Sequence, residues 1–298
     1  MRAAFCKAMV ELRAHRPYVF LTGDLGFGAL EPLQASLGES FINAGVAEQN
    51  MVGVAAGLAA GGLQAWAYSI APFIYARPFE QVRNDVCLQK RDVKLVGNGG
   101  GYGYGSMGGT HHALEDYGCL LTLQHMTAYL PAFASDVEAL VPLLAATPGP
   151  AYLRLGRDEK PAALTAAPWA PWRRLVDGRG PVLVAVGPLA GPLAGALLAL
   201  DVAVRPQLWA LGRLPLAVLP DDLLRAIDAS GHLAVVEEHV ATGGAGQALA
   251  AALLSLGRAP KRFTHACAVG YPSGTYGSQA YHRKESGLDV EATLAALR

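Results

Sequence analysis

The sequence lacks an excess of charge of either sign, since 24 lysines and arginines balance 24 aspartates and glutamates over 298 residues. It also lacks a block rich in lysine or arginine, so it offers no field that would recruit nucleic acid or an anionic membrane. The four cysteines lie far apart, without a Cys-X-X-Cys pair, at Cys6, Cys87, Cys119 and Cys267. This spacing predicts reduced thiols in a cytoplasmic protein, with neither a zinc cluster nor a disulfide framework.

Signals for secretion or membrane insertion are also lacking. The N-terminal stretch has no uninterrupted apolar core of the kind that signal peptides need. Residues 180–200 carry no charge and are long enough to cross a bilayer. They are interrupted by Pro188, Gly191 and Pro192, so we expect a buried strand, a loop and a helix there. We therefore expect a soluble, cytoplasmic protein.

The length and pattern of the chain predict two α/β domains. Hydrophobic residues make up 52% of the sequence, which is ample for a core, and 298 residues favour two domains over one. Residues 1–157 and 181–298 each alternate short apolar runs with helical segments, which is typical of a mostly parallel sheet covered by helices. Between them, residues 158–180 contain three prolines and two tryptophans, and we predict an ordered linker.

A single carboxylate, Glu48, lies inside the small and apolar segment FINAGVAEQNMVGVAAGLAAGG, residues 41–62. We predict a helix here, capped by Asn43. One face of that helix would consist of Glu48, Val52, Ala55 and Ala59. Two interpretations of Glu48 stay open: a carboxylate facing the helix dipole or a structural ion pair, or a buried carboxylate that shares a proton with a nitrogen of a bound molecule.

Three glycines, Gly53, Gly57 and Gly61, recur every four residues on the same predicted helix. Each interior glycine costs about 1 kcal/mol relative to alanine. The spacing therefore predicts close approach by another helix, either within the chain or across a subunit interface.

Several motifs in order carry a family resemblance. They are NAGVAEQNMVGVAAGLAAGG, YSIAPFIYARPFEQVRND, GGTHHALEDYG, GPAYLRLGR and VVEEHVATGGAGQAL. Together they resemble the C-terminal half of transketolases, specifically the small subunit of split, two-chain transketolases. 1-Deoxyxylulose-5-phosphate synthase and the β subunits of 2-oxo acid dehydrogenases are more distant relatives. The resemblance covers nearly the whole chain, as a pyrimidine-binding domain followed by the family's C-terminal domain.

The resemblance implies a cofactor, thiamine diphosphate, and assigns residues to it. The residue that matches Glu48 contacts N1′ of the aminopyrimidine ring, and proton sharing there activates the thiazolium carbon. Phe73 stands where the family stacks an aromatic ring on the aminopyrimidine, although an isolated phenylalanine usually fills a core. Phe79 would be an accessory packing residue, and Asp24 matches an acidic position beside the thiazolium and the substrate.

The resemblance also implies substrate-binding residues. His111 matches a histidine that faces the reacting carbon, where it could donate to a developing oxygen anion and relay protons. Its neighbour His112 could point into the fold. Arg2, Arg77 and Arg157 match arginines that bind an anionic substrate end, for which guanidinium groups are suited; a surface ion pair is the alternative for each of them.

A loop with eight glycines between Gly97 and Gly109 departs from the family pattern. It could cradle phosphate with backbone N–H groups, whereas the resemblance implies a wall of the active-site channel. Gly99 replaces a histidine of sugar-phosphate transketolases, and Met107 replaces an aspartate that reads a substrate hydroxyl. We therefore expect substrates other than the usual pentose-phosphate pair.

A second chain is also expected. The family binds the diphosphate through Mg²⁺ held by a Gly-Asp-Gly motif and a later asparagine, and this sequence has no Gly-Asp-Gly. The resemblance thus implies an N-terminal, diphosphate-binding partner that carries the metal ligands, no metal ligand in this chain, and an α₂β₂ assembly. The competing hypotheses are a β subunit of a 2-oxo acid decarboxylating enzyme and a catalytically silent partner subunit.

Overall fold

Two mostly parallel β-sheets organise the chain, and the computed structural model describes all of residues 1–298. The first sheet has seven strands in the order β10-β5-β6-β4-β3-β1-β2, and only β10 runs antiparallel to its neighbour. Its strands are β1 (Val19–Thr22), β2 (Phe41–Asn43), β3 (Ala65–Ile70), β4 (Val93–Asn98), β5 (Thr127–Tyr129), β6 (Ala151–Leu155) and β10 (Arg213–Leu214).

The second sheet has five strands in the order β12-β11-β8-β9-β7, with β7 antiparallel to β9. Its strands are β7 (Trp172–Val176), β8 (Val182–Val186), β9 (Gln207–Leu211), β11 (His232–Val236) and β12 (Arg262–Ala266). Every residue of β8 and β11 is buried. Such continuous apolar strands are typical of a parallel sheet that is covered on both faces, so the predicted fold class is confirmed.

Helices cover both sheets. They are α1 (Arg2–Arg13), α2 (Glu31–Leu37), α3 (Glu48–Ala60), α4 (Ala71–Tyr75), α5 (Phe79–Gln81), α6 (Asp116–Leu120), α7 (Ala134–Ala146), α8 (Ala190–Leu198), α9 (Asp221–Ser230), α10 (Ala245–Ser255), α11 (Gln279–Glu285) and α12 (Val290–Ala295). A π-helical turn, Val82–Cys87, follows α5. Residues 180–200 form β8, a short turn and α8 as predicted, and no helix of the chain has the length and apolarity to cross a bilayer.

The helix predicted to start at Asn43 begins instead at Glu48, so the predicted cap is wrong. Phe41–Asn43 form β2, which pairs in parallel with β1, and the ring of Phe41 stacks on Phe20 at 5.4 Å. Burial of these apolar side chains against β1 outweighs their helical spacing, and Gly45, at φ +71°, turns the chain between strand and helix. Glu48 is therefore the first residue of α3.

The glycines of α3 do not meet another helix of this chain. A Cβ atom placed at Gly53 or Gly57 would have no atom within 4 Å, and Gly61 is the residue that ends the helix. Close packing within the chain is therefore excluded for Gly53 and Gly57. Packing across a subunit interface stays a prediction.

The segment predicted as a linker contributes a strand. β7, Trp172–Val176, lies within residues 158–180 and pairs with β9 of the second sheet. Conversely, β10 follows β9 along the chain and pairs with β5 of the first sheet. The two halves of the chain thus exchange short strands at their boundary, and neither prolines nor composition indicated this exchange.

A buried arginine joins the two halves. Arg154, on β6, donates to Asp116 at 2.8 Å and to the carbonyl oxygens of Ala113 and Glu238 at 2.7 and 2.9 Å. Tyr152 also donates to Asp116, at 2.7 Å, and Asp116 is fully buried. The carboxylate of Asp116 therefore depends on the guanidinium for its charge compensation.

We predict that Arg154→Met lowers the free energy of unfolding by about 3–5 kcal/mol, because it leaves the buried Asp116 charge without its partner. Urea denaturation followed by circular dichroism measures this change. Arg225→Met, which removes an exposed arginine from α9, is the matched control and should stay within about 0.5 kcal/mol of the wild type. A loss below about 1 kcal/mol for Arg154→Met would contradict the role of the pair.

Candidate active site at the carboxyl edge of the first sheet

The predicted site residues follow different strands at the same edge of the first sheet. Asp24 comes after β1, Phe73 lies on the helix after β3, Gly99 follows β4, and Arg157 follows β6. Because these strands are parallel, their carboxyl ends meet at one edge, which is where open α/β sheets bind ligands.

Glu48 is buried at the start of α3, with its side chain only 3% exposed. Its Oε2 accepts a hydrogen bond from Arg77 Nη1 at 2.9 Å, and its Oε1 accepts a long one from Ser69 Oγ at 3.4 Å. Gly23 faces this carboxylate, since a Cβ there would lie 3.2 Å from the Gly45 carbonyl oxygen and 3.6 Å from Glu48 Oε1. The ion pair that the sequence left open is thus present, with a partner that was expected to bind substrate.

Phe73 lies beside this ion pair. Helix α4, which carries it, starts immediately after β3 and has a proline in its first turn, where a proline costs no hydrogen bond. The guanidinium carbon of Arg77 lies 3.9 Å from the centre of the Phe73 ring, and the His111 ring lies 5.2 Å away in an edge orientation. Glu48, Arg77, Phe73 and His111 therefore form one continuous group.

An open cleft of about 650 Å³ reaches this group. It is lined by Val46, Ala47, Glu48, Gln49, Asn50 and Arg77. The buried carboxylate and the guanidinium are thus accessible from the surface on one side. A flat molecule entering the cleft would meet Glu48 at its inner end.

The two adjacent histidines face different surroundings. His111 Nδ1 is hydrogen-bonded to Thr110 Oγ1 at 2.9 Å, and its ring lies against Phe73. His112 is buried, and its two ring nitrogens bond the Tyr271 hydroxyl at 2.9 Å and the Gly105 carbonyl at 2.8 Å. Burial lowers the pKa of His112, which keeps that ring neutral near pH 7. His112 is therefore held inside the fold, and His111 is the histidine beside Phe73.

Asp24 is held by Asn43 rather than by another charge. Its Oδ1 accepts from Asn43 Nδ2 at 3.0 Å, and its backbone N–H donates to Asn43 Oδ1 at 2.9 Å. The Gly45 N–H also donates to Asn43 Oδ1, at 3.0 Å. Asp24 has a positive φ of 54°. Asn43 thus fixes the loops that follow β1 and β2, a role that no sequence pattern indicated.

Tyr104 is a second residue that the sequence motifs did not indicate. Gly99 has φ +75°, and a Cβ there would overlap the Tyr104 ring, so the tyrosine fills the space of a side chain at position 99. The Tyr104 hydroxyl accepts from Asn98 Nδ2 at 2.8 Å, and its ring lies 5.8 Å from that of His111. Burial raises the pKa of Tyr104, while the Asn98 bond and the charge of nearby Arg2 oppose the shift.

The second half of the chain reaches the glycine loop from above. A Cβ on Gly108 would lie 2.6 Å from the Tyr276 ring, and one on Gly109 would lie 3.2 Å from the Tyr271 hydroxyl. Tyr276 itself is 55% exposed. Its distance from His111 along the chain hides this contact from sequence patterns.

Other predicted residues lie farther from this group. Arg157 is exposed after β6 and forms no ion pair, Phe79 is half-buried at the start of α5, and Met107 is 53% exposed. Arg2 is exposed at the start of α1. The structure thus brings Glu48, Phe73, Arg77 and His111 together and leaves Arg157 and Phe79 outside the group.

Comparisons with known proteins agree with this arrangement. The family described as transketolase, pyrimidine binding domain, matches residues 1–161. The chain is 31% identical to an apulose-4-phosphate transketolase subunit of Phocaeicola vulgatus, over 82% of this chain and 80% of the relative. It is 40% identical to a 6-deoxy-6-sulfo-D-fructose transketolase subunit of Clostridium sp., over 39% of this chain and 36% of the relative.

The fold has a solved counterpart. A structure described as a split gene transketolase, inactive beta4 tetramer, superposes with a TM-score of 0.84 at 30% identity. The match covers 99% of this chain and 96% of that one. Together with the family match over more than half of the residues, these likenesses show that the chain belongs to the transketolase family.

Proposed function

We propose that this chain is the C-terminal subunit of a two-chain, thiamine-diphosphate-dependent enzyme that transfers a two-carbon ketol or acyl unit to a carbonyl acceptor. One observation carries the proposal: the buried Glu48 carboxylate lies at the inner end of an open cleft, beside the Phe73 ring. A carboxylate is expensive to bury, and its position at the end of a cleft favours a chemical role over a structural one.

The residues present fit the aminopyrimidine end of the cofactor. Glu48 Oε2 already accepts an N–H of a cation, as it would from a ring nitrogen that carries a proton. The face of Phe73 already holds a flat, positively charged group at 3.9 Å, which is a stacking distance. Glu48 would hold N1′, and Phe73 would stack on the ring.

The chain's own residues then have separate tasks. When bound, thiamine diphosphate supplies the carbon nucleophile that carries the two-carbon unit. Glu48 shares a proton at N1′ and is shielded from water by its burial. His111, fixed at Nδ1 by Thr110, can donate from Nε2 to an oxygen that becomes negative during the reaction.

We propose that the diphosphate and its Mg²⁺ bind to a second chain. Octahedral Mg²⁺ requires oxygen ligands in well-defined positions, and the family's Gly-Asp-Gly motif is missing from this sequence. Two findings support a partner: the relatives of this chain are named as single subunits of transketolases, and a solved tetramer of similar fold is described as inactive. An α₂β₂ assembly would place each cofactor between two chains.

The substrate is proposed to be a ketose with an anionic end other than the usual pentose phosphate pair. Gly99 and Met107 place no polar side chain where pentose-phosphate transketolases have one, and Tyr104 occupies the space beside Gly99. One relative is named for a sugar phosphate and another for a sulfonated sugar. Arg77, Arg2 and Arg157 are the candidates for holding such an anion.

We predict that Glu48→Gln reduces turnover of the assembled enzyme at least ~100-fold, because the amide cannot share an ionisable proton with N1′. Steady-state kinetics measures the loss, and circular dichroism checks that the fold is kept. Glu80→Gln changes an exposed glutamate on α5 and serves as the matched control. Near wild-type turnover by Glu48→Gln would remove Glu48 from the cofactor site.

We expect the isolated chain to be inactive and to bind thiamine diphosphate weakly, because it supplies only the ring-binding half of the site. Isothermal titration calorimetry of the chain, with and without Mg²⁺, tests this expectation. Titration of the complex with the partner chain is the positive control. Tight, Mg²⁺-dependent binding together with turnover by the isolated chain would refute the proposed division of the site.

We expect the assembled enzyme to use xylulose 5-phosphate with ribose 5-phosphate at least ~100-fold less efficiently, in kcat/KM, than its preferred pair, since missing polar partners weaken transition-state binding. Parallel assays with phosphorylated and sulfonated ketoses, and with pyruvate plus an aldehyde, identify the donor. Efficient use of the pentose phosphates would contradict the substrate proposal. Efficient use of pyruvate alone would favour the 2-oxo acid decarboxylating alternative.

A further inference from the structure

Arg77 makes both of the contacts that the proposed function assigns to the aminopyrimidine ring. Its guanidinium carbon lies 3.9 Å from the centre of the Phe73 ring, and its Nη1 donates to Glu48 Oε2 at 2.9 Å. A guanidinium group resembles a protonated aminopyrimidine in three respects: it is flat, it is positively charged and its N–H donors lie in the plane. The same face of Phe73 and the same carboxylate oxygen cannot serve both groups at once.

We propose that Arg77 takes the place of the aminopyrimidine ring before the cofactor binds, and that the displaced guanidinium then binds the anionic end of the substrate. This inference rests on the proposed function, from which it takes the identity of the ring. It gives one side chain two successive partners, the Glu48 carboxylate and the substrate anion.

The free subunit needs such a partner for Glu48. The carboxylate is only 3% exposed, and its other contact, to Ser69, is long at 3.4 Å. A buried charge without a counter-charge is strongly destabilising. Arg77 compensates this charge until another cation replaces it.

Arg77 is also placed so that it can leave. It lies between α4 and α5, outside both helices, and Pro78 follows it, so no helical hydrogen-bond ladder fixes its position. Its side chain is 45% exposed and lines the open cleft. A guanidinium released from Glu48 would therefore remain at the entrance of the cleft, where a substrate must pass.

The exchange has a measurable cost for cofactor binding. If the ring-binding position is free in only a tenth of the molecules, the apparent affinity for the cofactor falls about tenfold. Removal of the guanidinium should recover that factor. Loss of the same group should weaken binding of an anionic substrate, because its ligand is gone.

The test measures the affinity of thiamine diphosphate for the complex of this chain with its diphosphate-binding partner, by calorimetry at saturating Mg²⁺. We expect Arg77→Met to bind the cofactor about 3–10-fold more tightly than the wild type, and to raise the substrate KM at least about tenfold with a smaller change in kcat. Arg77→Lys, which keeps the charge without the flat fork, should give an intermediate cofactor affinity. Arg225→Met controls for the loss of one positive charge elsewhere on the surface.

A thermal double-mutant cycle on the isolated full chain separates exchange from simple charge repulsion. We expect Arg77→Met to lower Tm by several degrees, and Glu48→Gln with Arg77→Met to recover most of that loss, because no buried charge remains unpaired. In the cofactor-loaded complex, Arg77→Met should no longer lower Tm. Arg77→Gln replaces Arg77→Met in every arm if the methionine variant does not fold.

The outcomes distinguish this inference from the proposed function. No binding of thiamine diphosphate by the wild-type complex would refute the proposed function itself. If the wild type binds the cofactor but Arg77→Met binds it equally or more weakly, the exchange is wrong and Arg77 is a permanent support for Glu48. Persistence of the Glu48–Arg77 coupling in the loaded complex would also overturn the exchange.

Discussion

Burial of one carboxylate is the constraint on which the rest of the site depends. Glu48 begins α3, and the loop after β1 must pass directly over it, which Gly23 permits because it has no side chain. Its charge needs compensation, and Arg77 provides this from the turn after α4. The same guanidinium covers Phe73, whose other neighbour is the His111 ring. Four elements of the first half thus converge on one ionised group.

The second half of the chain supports this convergence from a distance. Arg154 carries hydrogen bonds from β6 to Asp116 and onward to the backbone of Glu238. Between them the glycine loop passes so closely that a Cβ at Gly100 would overlap Arg154 and one at Gly101 would overlap Glu238. The loop that ends in His111 is therefore positioned by buried polar contacts between the two halves, and its glycines are required by close approach as much as by any ligand.

Prediction from sequence succeeded where periodicity and motif agreed. Continuous apolar runs such as VLVAV became buried parallel strands, and the charge-free stretch around them became a strand and a short helix. Prediction failed at Asn43, where helical spacing competed with strand pairing: the apolar side chains of Phe41 and Ile42 gain more from packing against β1 than from a longer helix. It also missed β7 and β10, whose short sequences carry too little pattern to indicate pairing across the boundary between the two halves.

The sequence by itself determined the fold class, the family and the identity of Glu48, Phe73 and His111 as neighbours in a site, because these depend on local periodicity and on residues in a fixed order. Only the tertiary structure decided which groups touch them. That Arg77 pairs with Glu48, that Asn43 holds Asp24, and that Tyr104 fills the space at Gly99 follow from side-chain directions and backbone turns. These contacts join residues from separate loops at one sheet edge. Spacing along a sequence does not encode such distances, since the sheet order and the turn at each strand end set them together.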